Sequence, residues 1–408
     1  MSADPIVIVG GGHAAAALCA ALAEAGQGGR VHLVSAEHEL PYQRPPLSKS
    51  FLKNADETIA PHKAAAWYAE QGVQTHLGDP VVSIDREARR VLLRSGNQLA
   101  YQHLVLATGT RARTLDALPP GLLNVHVLRD AEHARSLRSR LSEMVAAGRR
   151  LTVLGGGFIG LELAASARQL GLDVTVLEVA PRLLGRSVSA SLGEHVLEHH
   201  RSMGTEVQIG VRIEGFELQE GRLLSMQVNG NRVAVDELVL GIGAVPEARL
   251  AADCGLVVDN GIVVDACMRT SDPAILAIGD CAAFPIAGGA RIRLESVQNA
   301  NDQARTAAAT LLGREEPYRS LPWFWSEQGP MRLQMAGLLP TSPQTIRRAG
   351  ANASSFTLFH VVDGKLLCAE SVNAPLDHMM SRKLIEAGLL VNPASLADPS
   401  IPLKSLLV

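Results

Sequence analysis

Gly155, Gly157 and Gly160 stand between two short apolar runs, and the second run ends in an acid, Glu178, 23 residues after Gly155. In a G-x-G-x-x-G turn the first glycine permits a tight bend. The second lets the main chain approach a pyrophosphate, and the third lets the next helix pack close to the strand. The helix start then offers free N–H groups and positive dipole charge to phosphates. A carboxylate at the end of the following strand can accept both ribose hydroxyls of an adenosine. Beyond it, Arg182 and Arg186 are cations that could reach phosphate or adenine. The chemistry these residues suit is dinucleotide binding.

The same pattern opens the chain. Gly10, Gly12 and Ala15 take the three glycine positions, with His13 and Ala14 between them. Alanine is a permitted third residue. The acid is less clean here: Ser35 and Ala36 end the strand and Glu37 follows. Two such folds imply two dinucleotides. The expected pair is a bound flavin and a diffusing nicotinamide, because hydride must pass between them.

The elements that must position these groups follow from periodicity. Leu151–Leu154 and Val174–Leu177 read as buried strands. Ile159, Leu163, Ala167 and Leu170 fall on one helical face, and Gly171 can cap that helix in the left-handed conformation. In the first unit the strand Val31–Val34 follows an alanine-rich helix over Ala14–Ala25. Further strands are expected at Val73–Leu77, at the pair Val81–Ile84 and Arg90–Leu93, and at Leu104–Ala107. That last strand closes on Thr108-Gly109, and Thr110–Pro120 reads as a crossover. Residues 206–235 read as an antiparallel meander with turns at Glu220-Gly221 and Asn229-Gly230. Leu238–Leu240 runs into GIGAVPE, which contains Gly243. Ile275–Ile278 ends in Gly279-Asp280, where an acid can meet a flavin ribityl hydroxyl. A helix is expected from Gln298 to Leu312. Past Gly313 the composition changes to a smaller α+β region, with strands over 331–338 and 356–373 and a helix over Asp377–Ala387.

Composition narrows the classes. The chain has 408 residues and a net charge of −3, enough for two or three domains and with no basic excess pointing to nucleic acid or a membrane surface. Its five cysteines are scattered without any C-x-x-C. That fits a reducing compartment and argues against a dithiol active site. The apolar run Ile6–Ala23 is broken by three glycines and preceded by Asp4, so it does not read as a leader or membrane helix, and a cytoplasmic protein is expected. His195, Glu198 and His199 spell H-x-x-E-H, a zinc-peptidase pattern. Inside a dinucleotide fold the context is wrong for it, so a solvated helix face is expected and no metal site.

With these pieces in place, the whole chain resembles the FAD-dependent ferredoxin–NAD reductases of oxygenase systems. The residues that carry the resemblance are ELPYQRPPLSK (39–49), LVLATG, GGGFIGLE, AIGDCA, ESVQNA and LPWFWSEQ. The resemblance implies an α/β fold with two Rossmann-type domains, glutathione-reductase-like, plus a C-terminal α+β domain. Residues 1–109 and 242–318 would form a discontinuous FAD domain, 110–241 an NAD domain and 319–408 the C-terminal domain. It implies flavin contacts at Ala14, Lys49, Arg129, Asp280 and Val297, a place beside the nicotinamide for Glu162, and a place at the flavin and partner surface for Trp325. Lys49, Glu162 and Trp325 are thus the expected catalytic residues, with Lys49 and Glu162 paired. Further cofactor contacts are expected at Arg44, Val82, Ala107, Thr108, Gly109, Gly279, Ile159 and Gly243. Three departures stand out: Ala36 where relatives often carry Asp, so that Glu37 would substitute; Glu247 where Asn is common; and Thr110–Arg113 without the usual proline.

The implied reaction passes electrons from NADH through FAD to a two-iron ferredoxin, of Rieske or adrenodoxin type, that serves a terminal oxygenase in aromatic catabolism. Two related readings are a rubredoxin reductase and an NADH-sensing protein like apoptosis-inducing factor, the latter favouring a basic surface and a targeting segment. A ferredoxin of this kind is typically acidic. Lys53, Arg291, Arg293, Arg332, Lys383 and Lys404 are candidates for a basic patch near Trp325.

Overall fold

The computed structural model describes residues 4–286 and 288–407. The chain groups into two compact units. One comprises Met1–Arg44, Ile59–Arg111 and Ala244–Ser320, and the other Pro45–Thr58, Ala112–Gly243 and Leu321–Val408.

The first unit is built on a five-stranded parallel sheet in the order Ile275–Ala277, His103–Leu106, Ile6–Val9, Val31–Ser35, Gln74–Leu77. Its inner strands are continuous apolar runs because both faces are covered. Ile6, Val7, Ile8, Leu104, Val105 and Leu106 are all buried. The helices His13–Glu24 and Val297–Leu311 pack together over this sheet. Val81–Asp85 and Arg90–Leu93 pair as expected, and Gln98–Ala100 adds a third strand.

The second unit repeats the plan. Its parallel sheet runs Glu206–Ile209, Asp173–Glu178, Arg150–Leu154, Glu237–Leu240, Val125–His126. Glu206–Ile209 was expected in the meander; it pairs instead alongside Asp173–Glu178. The meander proper is Ile213–Gln219, Arg222–Val228 and Asn231–Ala234. It turns at Glu220-Gly221 and Asn229-Gly230, all four residues having positive φ. The C-terminal region forms an antiparallel sheet in the order Trp323–Gln328, Met331–Gly337, Lys365–Val372, Phe356–Val362, Gln344–Ala349, and the helix Pro375–Ala387 packs on it. Leu333, Phe356 and Val372 share one core with Leu151, Leu161 and Leu163, which is why this sheet groups with the central one.

The H-x-x-E-H helix, Ala190–Ser202, does not present the solvated face expected of it: it packs against the C-terminal sheet, and the adjoining His200 is fully buried. His195 meets Phe356 edge-on, and His199 and His200 bond the main chain and side chain of Gln328. Among the described residues no group of three or more ligands could hold a metal. His200 and His378 are buried, and burial pushes both imidazoles down to about 4. A histidine whose folded pKa lies below its unfolded value of roughly 6.5 binds fewer protons when folded. Stability is therefore full above that value and falls as pH drops toward 4, on the order of 1 kcal/mol per pH unit for each ring. Urea unfolding at pH 7 and pH 5 should show the loss, and His200→Asn should make it shallower.

Candidate dinucleotide sites and a buried ion pair

Each unit carries a glycine cradle at the C-terminal ends of its parallel strands. In the first, Gly10 has φ +129°, and an added Cβ would lie 2.1 Å from the Ala107 carbonyl. Only glycine fits there, so the main chain stays open to a ligand as large as a pyrophosphate. Gly279, φ +77°, closes on Ala14, 3.0 Å from where its Cβ would be, and donates its N–H to Gln303. Gly10, Gly12, Ala14, Ala107 and Gly279 are thereby brought together, and Arg44 stands beside Gly12. Glu37 is held in this unit by Arg44 Nη2 and Tyr42 Oη, each at 2.5 Å. Thr108 donates to the Glu247 carbonyl, and the Glu247 N–H donates to the Gly109 carbonyl. Val82 is exposed on its strand, and His13 and Ala15 are buried in the first turns of the helix they begin. Asp280, half-buried, receives Arg293 on its carbonyl.

The second cradle repeats the geometry. Gly155 has φ +113°, and its Cβ would meet the Gly241 carbonyl at 2.3 Å. A Cβ on Gly160 would meet the Gly155 carbonyl at 2.5 Å. Gly157 is the extended N-cap of the helix Phe158–Gln169. Glu178 lies beside this turn: Oε2 accepts the Gly156 N–H and Oε1 the Ala180 N–H, both at 2.6 Å. Ile159, an expected cofactor contact, is 49% exposed at the helix start, while Leu163 and Ala167 on the same helical face are buried. Arg182 is tied to the carbonyls of Val188 and Gly185, so it is spent on its own loop, while Arg186 is exposed. Gly243, φ +104°, precedes the strand Ala244–Pro246. Arg129 immediately precedes Asp130, the N-cap of the helix Ala131–Ala147, and Val297 begins its own helix behind the Ser296 cap. Both cradles fit a dinucleotide by the same test: glycine is enforced where the ligand would run, and helix N–H groups face that place.

Lys49 and Glu162 form the expected pair at 2.7 Å. Glu162 is only 3% exposed, and a lone carboxylate there would be costly. It is fully satisfied instead. Oε2 accepts from Ser48 Oγ and Lys49 Nζ; Oε1 accepts from Ser326 Oγ at 2.7 Å and, more weakly, from the Glu327 N–H. Lys49 also donates to the Pro45 carbonyl. The cluster joins three segments: the 3₁₀ turn Pro45–Ser48, the central helix, and the strand Trp323–Gln328. Lys49 and Glu162 are thus brought together, whereas Trp325, the chain neighbour of Ser326 on a strand whose successive side chains point to opposite faces, lies against Trp323 instead. Sequence reading missed Ser48 and Ser326. It also missed Arg382, whose guanidinium lies over the Trp323 ring at 4.8 Å, beside the Trp323–Trp325 contact. Of the expected basic patch, Arg293 is tied to Glu295 and main-chain carbonyls and Arg332 lies 4.0 Å from Glu327, whereas Lys53, bonded to the neutral Gln169, and Arg291, Lys383 and Lys404 are exposed.

Comparison with known proteins settles the family. Residues 4–304 match the pyridine nucleotide-disulphide oxidoreductase family, and residues 323–407 match a reductase C-terminal family. The chain belongs to the pyridine nucleotide-disulphide oxidoreductases, in their ferredoxin–NAD(+) reductase branch. It is 43% identical to rhodocoxin reductase of Rhodococcus erythropolis, over 98% of this chain and 93% of that protein. It is 42% identical to the ferredoxin–NAD(+) reductase component of the anthranilate 1,2-dioxygenase system of Burkholderia cepacia, over the full length of both. The fold superposes on the covalent putidaredoxin reductase–putidaredoxin complex with a TM-score of 0.93 at 35% identity, over 100% of this chain and 99% of that one. This reductase thus joins a double dinucleotide-binding plan to a C-terminal sheet that carries paired tryptophans. Among the described residues no helix is long and apolar enough to cross a membrane.

Proposed function

We propose that this reductase takes electrons from NADH and delivers them to a two-iron ferredoxin that supplies an oxygenase. The observation that carries this is full-length similarity to ferredoxin reductase components, together with two intact glycine cradles. FAD is the prosthetic group and NADH the reductant. FAD supplies the exchange between a two-electron donor and a one-electron acceptor. Residues 1–109 and 242–318 serve FAD, 110–241 serve NADH, and 319–408 face the partner.

The chain's own residues bind and orient. In the first cradle the open main chain at Gly10 and Gly12 and the start of the following helix hold the pyrophosphate, and Glu37 takes the adenosine ribose in place of the acid missing at Ala36. In the second, Glu178 takes the NADH ribose. Lys49 uses two of its three N–H groups on Glu162 and Pro45; the third is left for the flavin, so that a fixed positive charge faces the ring that gains electrons. Trp325 lies on the partner side. The five cysteines are free, which supports a reducing, cytoplasmic setting.

The purified protein should be yellow, and its oxidation of NADH should rise on addition of a two-iron ferredoxin. A rate that no ferredoxin alters would defeat the assignment. Ionic strength gives a second test. Arg382 lies over the Trp323 ring, its exposed neighbour Lys383 follows on the helix Pro375–Ala387, and Arg332 is on the strand Met331–Gly337. Charges of this kind act on association rate and are screened over about 8 Å at physiological salt. Ferredoxin-dependent turnover should fall as salt rises, while NADH reduction of a small neutral acceptor should change little. Equal salt dependence of the two would remove any steering role.

A further inference from the structure

We infer that Arg138 is a positioning residue for Lys49, and through it for reduction of the flavin; the inference rests on the placement of Lys49 at the flavin proposed above. Residues 45–58 group with the second unit although the chain on either side belongs to the first. Something must hold this short segment in place. At its start, Ser48 and Lys49 bond Glu162, and Ser166 Oγ donates to the Ser48 carbonyl. At its far end the holder is Arg138, on the helix Ala131–Ala147.

Lys49 is followed directly by one helical turn, Ser50–Lys53. A turn that short does not hold itself together. Ser50 Oγ closes it on Glu57, and Leu52 is buried in the same core as Leu137 and Leu141. Past its end, the Asn54 and Glu57 carbonyls point at Arg138. Nη1 donates to them at 3.3 and 2.9 Å, and the guanidinium lies 4.0 Å from the centre of the Phe51 ring. One planar group thus grips two carbonyls and an aromatic face at once. That combination suits arginine and not lysine, whose compact ammonium is a strongly hydrated point charge. Because Lys49 is the N-cap of this turn, any tilt of the turn carries Lys49 with it and loosens its contacts to Glu162 and Pro45. A misplacement of an ångström at a positioned group is enough to cost rate.

The test compares Arg138→Ala and Arg138→Lys with the unaltered holoenzyme. Arg138→Ala should slow single-turnover reduction of the flavin at saturating NADH about tenfold and leave the dissociation constant for NADH unchanged. Acetylation of Lys49 by acetic anhydride, followed by peptide mass with exposed Lys383 as reference, should become several-fold faster. Arg138→Lys should recover little of either. Phe51→Leu keeps the burial but removes the ring face, and it should shift Lys49 labelling the same way, so the outcome does not hang on one variant. Wild-type labelling and wild-type reduction rates would overturn the inference, as would slowed reduction with unchanged Lys49 labelling. The reading beneath it fails separately: if Lys49→Ala leaves reduction unchanged, Lys49 does not serve the flavin, whatever Arg138 does to its labelling.

Discussion

Lys49→Ala should slow reduction of the bound flavin by NADH about a hundredfold in a single turnover, while the protein stays folded. The magnitude is that of removing one preorganised donor from a site where charge develops. Two features make Lys49 such a donor. Its Nζ is fixed by Glu162 and the Pro45 carbonyl, so it does not reorganise during the reaction, and it is mostly shielded from water at 16% side-chain exposure. The protein should still fold, because Glu162 keeps its other donors, Ser48 Oγ, Ser326 Oγ and the Glu327 N–H, but at lower stability, because its buried charge loses its partner. Glu162→Ala strands a mostly buried lysine and frees two serines, and breaking a buried pair in this way costs about 3–5 kcal/mol. That variant too should lose stability as well as rate. Stopped-flow absorbance at the flavin band and thermal unfolding separate the two. Wild-type reduction in Lys49→Ala would leave the pair a structural brace only.

The parts of this site that sequence could reveal are those fixed by the backbone. Gly10 and Gly155 had to be glycine because a Cβ would collide with a carbonyl, and such a constraint shows in a single residue and its spacing. Glu178 was legible for the same reason: it ends a strand at a set distance from the turn. Ser48 and Ser326 were not, because they reach Glu162 across 114 and 164 residues, and a serine hydroxyl leaves no periodic signal. The helix Ala131–Ala147 went unread although Ala134, Leu137, Leu141 and Met144 mark its buried face; arginines and serines between them dilute the apolar stripe. Arg138 sits on that helix, so missing the helix hid the grip on the Lys49 segment as well. Glu206–Ile209 was misassigned because an alternating strand has the same pattern in a meander as at the edge of a parallel sheet.

Coenzyme choice should be strongly in favour of NADH over NADPH, by about a hundredfold or more in kcat/KM. Both oxygens of Glu178 already accept a main-chain N–H, from Gly156 and Ala180. Those bonds fix the plane of the carboxylate, and each oxygen retains a lone pair for a ribose hydroxyl. A 2′-phosphate in that place would bring a dianion against a fixed negative charge. At short range and intermediate effective dielectric that repulsion is worth a few kcal/mol. Among the described residues no cation is bonded to Glu178 to offset it in the way an arginine does in a phosphate-accepting site. Arg182 is bonded to two carbonyls of its own loop, which leaves the exposed Arg186 to approach from solvent. Glu178→Ala should therefore narrow the preference chiefly by weakening NADH, because it removes two hydrogen bonds to the diol without creating a phosphate site. The expected pattern is a rise in KM for NADH of about ten- to a hundredfold, with kcat nearly kept and NADPH little improved. Wild-type protein that used NADPH as efficiently as NADH would sink the role given to Glu178, and a variant that gained NADPH activity outright would place Arg186 at the phosphate.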